Sequence, residues 1–239
     1  MIAEKVIHPP EAAGFVEVPT CRLSFSIVSL CARMKKTFDK LPEEKKQKIL
    51  SACIEEFGEK GYEHSTLDRI VQRAGISKGG LYEYIESKED LYFYIVGLTY
   101  DELYDFIETQ IYIRSIPLPT DIVDRMRLVA EIAIDFYIHH PHYLEIIVGT
   151  YHLPKADLAA KAQKVFLNRF LHLFGDADFQ SIPHPKEEVL HLLTWMLLRT
   201  RYDFLIEYRQ NREEDTVRNR YLAKWDFYVS VLKKGLYQR

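Results

Sequence analysis

Between residues 65 and 91 the chain collects side chains suited to holding an anion rather than to breaking a bond. Thr66, Ser77 and Ser87 each stand just ahead of a short run with apolar residues at helical spacing. A hydroxyl in that place accepts from the first free amides of a helix. Ala74-Gly75-Ile76-Ser77 separates the first two runs, and Gly75 permits the positive φ that a tight turn requires there. The spacing predicts a short helix over 66–73, a turn, and a second short helix over 77–85, with Ile70, Ile76 and Leu81 forming a small shared core. This is helix-turn-helix geometry. Gly79 and Gly80 carry no side chain, so the backbone at the start of the second helix can approach a groove closely. Lys78, Tyr82, Glu83 and Tyr84 are expected to point outward.

The elements that must carry this constellation are helices. Prolines are absent from 43 to 116 and from 186 to 239, and Pro117, Pro119, Pro141, Pro154, Pro183 and Pro185 lie between. Proline ends helices rather than occupying their interiors, so the chain reads as helical blocks with proline-marked joints. Leu41-Pro42-Glu43-Glu44 opens the first block, Ile49, Leu50, Cys53, Ile54 and Phe57 recur along it, and Gly61 closes it. Ser87-Lys88-Glu89-Asp90, with capping-box spacing, opens a long helix to about residue 114. Further helices are expected at 120–139, 142–149, 155–174, 186–209 and 213–237. No sustained alternating strand, internal repeat or low-complexity tract is found. The expected class is all-α: an extension over 1–40, poorly ordered; a three-helix DNA-binding domain over 41–91; and a larger helical domain over 92–239.

The ordered set Ile49-Leu50, Phe57, Gly61, Thr66, Ile70-Val71, Ala74-Gly75-Ile76-Ser77, Leu81-Tyr82 and Ser87-Lys88-Glu89-Asp90-Leu91 resembles the amino-terminal pattern of the TetR family of helix-turn-helix transcriptional regulators. The resemblance spans about residues 45–91. Val71 stands where the family favours Ala, and Ile85 where it favours Phe; both bear on core packing. The resemblance implies a homodimeric, ligand-responsive regulator, most simply a repressor. Such a protein leaves a palindromic operator in double-stranded DNA when a small, largely apolar effector binds. Carried over by position, it implies phosphate contact at Thr66, capping at Ser77, base edges facing Lys78, Gly79 and Glu83, and close backbone approach at Gly80. Tyr82 and Tyr84 would meet phosphate or sugar, and Lys88 would clamp a phosphate. The alternative is a helical ligand-carrying or protein-interaction module without operator binding.

Charge restrains this reading. The 239 residues hold 32 Lys and Arg against 35 Asp and Glu, a net charge of −3. Between Lys35 and Asp90 eleven basic residues face twelve acidic ones. Attraction to phosphate must therefore come from a local patch and from pairing of two copies. Gly-x-Ser-x-Gly, Walker and dinucleotide fingerprints are absent, so no enzyme and no cofactor are expected. His139, His140 and His142 flank Pro141, with His152 nearby. They lack the i, i+4 spacing of a helical zinc pair and read as a helix terminus, so no metal is expected.

Cys21, Cys31 and Cys53 match no zinc or disulfide spacing, which suits a reducing cytoplasm. No apolar run reaches the ~18 residues of a membrane span. Leu23–Leu30 is apolar, but Leu30 is not the small residue that a lipoprotein signal needs before Cys31, and Glu4, Glu11 and Glu17 offset the charge of the start. Residues 1–33 thus read as a loose, dispensable extension punctuated by Pro9, Pro10 and Pro19, with translation from Met34 as an alternative.

In the second half, Tyr104, Tyr137, Tyr143, Phe166, Phe170, Trp195 and Tyr202 are the candidates for an apolar effector pocket with hydroxyl handles. The 186–209 helix is apolar around most of its circumference, and 213–237 carries an apolar stripe. Val189, Leu193, Met196, Leu197, Trp225, Tyr228 and Leu232 are the candidates for a dimer interface.

Overall fold

The computed structural model describes residues 34–179, 181–211 and 213–236. The expected loose extension over residues 1–33, with Cys21 and Cys31, lies outside the described residues. Among the described residues ten α-helices follow in order: α1 (Lys36–Asp39), α2 (Glu43–His64), α3 (Leu67–Ala74), α4 (Lys78–Tyr82), α5 (Lys88–Ile113), α6 (Ile122–His139), α7 (Pro141–Gly149), α8 (Ala156–Phe174), α9 (Lys186–Gln210) and α10 (Glu214–Leu236). A 3-10 turn over Thr150–His152 extends α7. No strand occurs among the described residues, and the fold is all-α.

The expected helix ends lie close to the observed ones because the sequence carries their stop signals. Gly75 takes φ 66° and ψ 33° after α3, and its N–H reaches back to Gln72 and Val71. That left-handed cap is open to glycine at little cost. Gly61 also has positive φ, 66°, and kinks α2 one turn before its end at His64. Asp121 caps α6 through Asp124 N, 2.9 Å away. Pro141 occupies the first turn of α7.

Residues 34–40, grouped above with the loose extension, are part of the fold. Met34 and Phe38 are buried. Lys35 N donates to Tyr84 O at 2.7 Å, and its ammonium donates to Tyr82 O at 2.9 Å. The boundary placed at residue 91 falls inside α5, a single helix that begins beside the helix-turn-helix and ends deep in the second half. α5 buries Leu91, Ile95 and Val96 near its start and Tyr100, Leu103 and Tyr104 further along.

The two halves also meet where α2 crosses α7. A Cβ on Gly58 would lie 2.9 Å from His142 Cβ and 3.1 Å from His142 Cα, so only glycine permits this approach. Gly58→Ala is expected to push α2 off α7 and to destabilise the chain by about 1–3 kcal/mol through overpacking. Urea unfolding checks this as a lowered midpoint at unchanged slope.

Candidate nucleic-acid interface

The three expected caps are made. Thr66 Oγ1 accepts from Arg69 N at 3.2 Å, Ser77 Oγ from Gly80 N at 3.0 Å, and Ser87 Oγ from Asp90 N at 3.1 Å. Thr66 and Ser77 are exposed, and a hydroxyl that accepts an amide keeps its own proton to donate. Ile70 and Leu81 are fully buried and Ile76 packs half-buried against them, as the turn requires. Lys78, Gly79, Tyr82 and Glu83 face solvent, while Gly80 is half-buried and would bring a Cβ 3.2 Å from Ser77 Oγ. Lys78 Nζ rests 2.8 Å from Asp68 on α3, which raises the pKa of the ammonium through that hydrogen bond. Any acceptor it meets must displace Asp68.

Two expected contacts take different positions. Tyr84 does not point outward. α4 ends at Tyr82, and Tyr84 N and Ile85 N both turn back to Leu81 O, which drives both side chains inward. Tyr84 is buried with its ring 6.0 Å from Phe38, edge to face. Lys88 is not a free cation. Its ammonium donates to Ser65 O at 2.7 Å and to Glu63 O at 3.4 Å, and lies 4.9 Å from the Tyr62 ring centre. Burial lowers its pKa. In this arrangement Lys88 fastens the start of α5 to the kinked end of α2, immediately beside Thr66.

A residue passed over in the sequence organises the motif. The Glu56 side chain is wholly buried, and its Oε1 accepts from Thr66 N at 3.0 Å, locking the entry to α3. Arg69 and Arg73 each place a guanidinium nitrogen 3.8 Å from its oxygens. Arg73 also spans Glu55 at 3.0 Å and Glu59 at 2.7 Å. The acids that make this domain near-neutral are thus partly spent on holding α2 to α3. The signal was present in the sequence as Glu56 beside Phe57, within the apolar stripe.

The histidines flanking Pro141 find separate partners. His139 Nδ1 lies 2.7 Å from Asp135 O, one turn back, and His142 Nδ1 lies 3.0 Å from Glu145 Oε2. Among the described residues no group of three His, Cys, Asp or Glu side chains could hold a metal ion. No described helix is long and apolar enough to cross a membrane.

The aromatic candidates of the second half divide. Tyr104, Tyr137 and Phe166 converge on one buried guanidinium, that of Arg201. Phe170 extends the cluster, 5.4 Å from Phe166 and stacked 4.4 Å from Phe174. Tyr143 belongs to a different group with Phe136 and His140. Tyr202 sits half-buried on His152, 5.9 Å away. Trp195 is not in the core: it is 62% exposed. The interface candidates are redistributed as well. Val189, Leu193, Met196, Leu197 and Trp225 are all buried within the single chain, and Tyr228 and Leu232 are half-buried. The outward apolar residues are Leu192 and Trp195 on α9 and Phe227 and Val231 on α10.

These features define an all-helical protein with a capped helix-turn-helix near its amino end, joined by one long helix to a larger bundle. Residues 49–95 match the family model of bacterial regulatory proteins of the tetR family, so the chain carries a TetR-type helix-turn-helix over those residues. Among curated relatives, the transcriptional activator FasR of Mycolicibacterium smegmatis is 28% identical over 126 residues, 52% of this chain and 55% of that protein. The biofilm operon negative regulator IcaR of Staphylococcus aureus is 39% identical over 62 residues, covering 26% and 33%. The chain thus spans about half the length of the first and a third of the second. A TetR family regulator from Chloroflexus aurantiacus superposes with a TM-score of 0.61 at 20% identity, covering 87% of this chain and all of that one. FadR of Bacillus subtilis, solved with stearoyl-CoA, gives 0.57 at 15% identity over 75% and 96%. At such identities the two structures establish a shared fold.

Proposed function

We propose that this chain is a homodimeric transcriptional regulator that reads a palindromic operator with α4 and responds to an effector bound in its second half. The exposed face formed by Thr66, Ser77, Lys78, Gly79, Tyr82 and Glu83 carries the reading. These side chains lie on two capped helices whose turn is fixed by Gly75, and they hold groups for phosphate and for base edges. Two copies must present α4 about 34–36 Å apart to enter successive major grooves. An effector that shifts α5, whose start fixes Lys88 and whose middle lines the Arg201 cluster, alters that spacing. Repression with release on effector binding is the simplest form, and the stearoyl-CoA held by FadR supports a small effector in such a bundle. The protein carries out no chemistry on DNA or effector.

The test is selection of bound DNA from a random library, where a palindrome is the expected product. Recovery of no sequence, together with no gel shift on the chain's own upstream DNA, would favour the carrier alternative. On the selected operator, Lys78→Ala is expected to relax discrimination at one position in each half-site by about tenfold or more, with little change on scrambled DNA. Equal losses on both DNAs would remove Lys78 from base reading.

A further inference from the structure

Among the described residues the second half buries two arginines, and they are treated differently. Arg125 is satisfied: Nε donates to Pro119 O at 2.6 Å, Nη1 donates to Leu173 O at 3.1 Å, and Asp176 pairs with the guanidinium. Arg201 is as deeply buried but has no ion pair among the described residues. Its Nε donates to Tyr137 Oη at 2.8 Å, and its Nη1 has no hydrogen-bond partner. The guanidinium carbon lies 5.9 Å from the Tyr137 ring centre and 6.0 Å from that of Phe166. Tyr100, Tyr104 and Tyr151 complete the surroundings. Arginine stays protonated even here. Burial pushes the Tyr100, Tyr104 and Tyr151 hydroxyls above their ordinary range, so they remain neutral phenols and supply no counter-charge. A buried cation without an anion is costly, and ring faces together with the neutral hydroxyls of Tyr137, Tyr104 and Tyr151 offset only part of that cost.

We propose that Arg201 is the receptor for the carboxylate of an apolar monocarboxylic acid, which is the effector of this chain. The proposal deepens the effector reading above and rests on it. One guanidinium matches one negative charge. A carboxylate oxygen can accept from Nη1, which lacks a partner, while the aromatic side chains around the guanidinium offer an apolar surface to the rest of the acid. A phosphate dianion would instead bring a surplus charge into the aromatic core. Tyr151 is half-buried beside exposed His152, so the cluster reaches the surface there. Tyr100 and Tyr104 belong to α5, so seating an acid on Arg201 bears directly on the helix that enters the DNA-binding half.

Calorimetry on the full chain tests the site without DNA. The probes are straight-chain acids from butanoate to hexadecanoate and phenylacetate, with the alcohol and the coenzyme A thioester of each binding acid as comparators. At least one acid is expected to bind, its alcohol and thioester to bind about tenfold or more weakly, and Arg201→Met to weaken the acid by about tenfold or more. Arg201→Met should also fold, since an apolar side chain replaces a buried charge; if it does not, Arg201→Gln serves. Binding by no acid, equal binding of acid and alcohol, or unchanged binding in the variant would overturn the proposal. A gel shift run separately keeps the two readings apart. Operator binding without acid binding overturns the carboxylate site alone, whereas acid binding through Arg201 without any DNA binding overturns the regulator.

Discussion

Trp195→Glu combined with Phe227→Glu is expected to leave each chain folded and to abolish the proposed dimer. α9 and α10 are consecutive and joined by a short connection, so they run antiparallel. Phe204 meets Tyr221 at 5.3 Å, and Arg220 pairs with Glu207 at 3.0 Å, which fixes their register. Stepping equally from that contact sets Trp195 level with the stretch between Phe227 and Val231. Trp195 is 62% exposed, Phe227 63% and Val231 50%, with Leu192 a turn away. An apolar strip of this kind on two adjacent helices suits a second copy. A twofold axis through it would build a four-helix interface, continuing the bundle.

Each chain of the doubly substituted dimer would bury two new carboxylates with no partner, which costs several kcal/mol. The same residues contribute little to the monomer core, so monomer stability should move by less than about 1 kcal/mol. Operator affinity should fall by about a hundredfold or more, because the two half-sites no longer bind as a linked pair. Analytical ultracentrifugation and a gel shift read the two effects. A parent chain that sediments as a monomer at micromolar concentration, or a variant that remains dimeric, would sink this interface. Leu232→Glu is a poorer probe, because Leu232 packs half-buried on the chain's own core and its loss mixes folding with association.

What the sequence displayed well was local. Thr66, Ser77 and Ser87 cap the helices they precede, and Gly75 takes the left-handed turn, because these choices depend on neighbours within three or four residues. Outward and inward faces were harder. Tyr84 is one residue from Glu83, and a helix turns about 100° per residue. Ending α4 at Tyr82 rather than at residue 85 was therefore enough to carry the ring from solvent into the core. The Phe38 that receives it lies 46 residues earlier. Lys88 was legible as a cation but not as an occupied one, since its carbonyl partners at Glu63 and Ser65 are exposed by the kink at Gly61.

Likewise, the all-round apolarity of 186–209 marked a helix with two apolar faces without sorting them. Val189, Leu193 and Leu197 stand four residues apart on the inner ladder, whereas Leu192 and Trp195 lie off it. The same ladder continues through Arg201 to Leu205, so a charge at its fourth rung was the readable sign of the buried guanidinium.

Glu56→Ala is expected to lower stability by about 3 kcal/mol and to weaken binding to every DNA sequence alike. The carboxylate is wholly buried and holds Thr66 N at 3.0 Å, so its removal leaves an entry amide of α3 without its acceptor and takes the buried charge from between Arg69 and Arg73. Breaking a buried charged contact typically costs about 3–5 kcal/mol, and here the partial exposure of both arginines places the effect at the lower end. Glu56→Gln keeps an oxygen for Thr66 N and loses only the charge, so about half the effect is expected. The consequence for DNA follows from position. Glu56 is wholly buried, but it fixes the start of α3, where Asp68 pairs with Lys78 and Thr66 stands on the proposed DNA-facing surface. Displacing α3 shifts the whole reading face as a body, which lowers affinity on operator and scrambled DNA together, unlike the selective loss expected for Lys78→Ala. Urea unfolding and paired gel shifts measure both. An alanine variant within about 0.5 kcal/mol of the parent would show that α3 is held by its apolar contacts at Ile70 and Val71 and that the buried carboxylate is incidental.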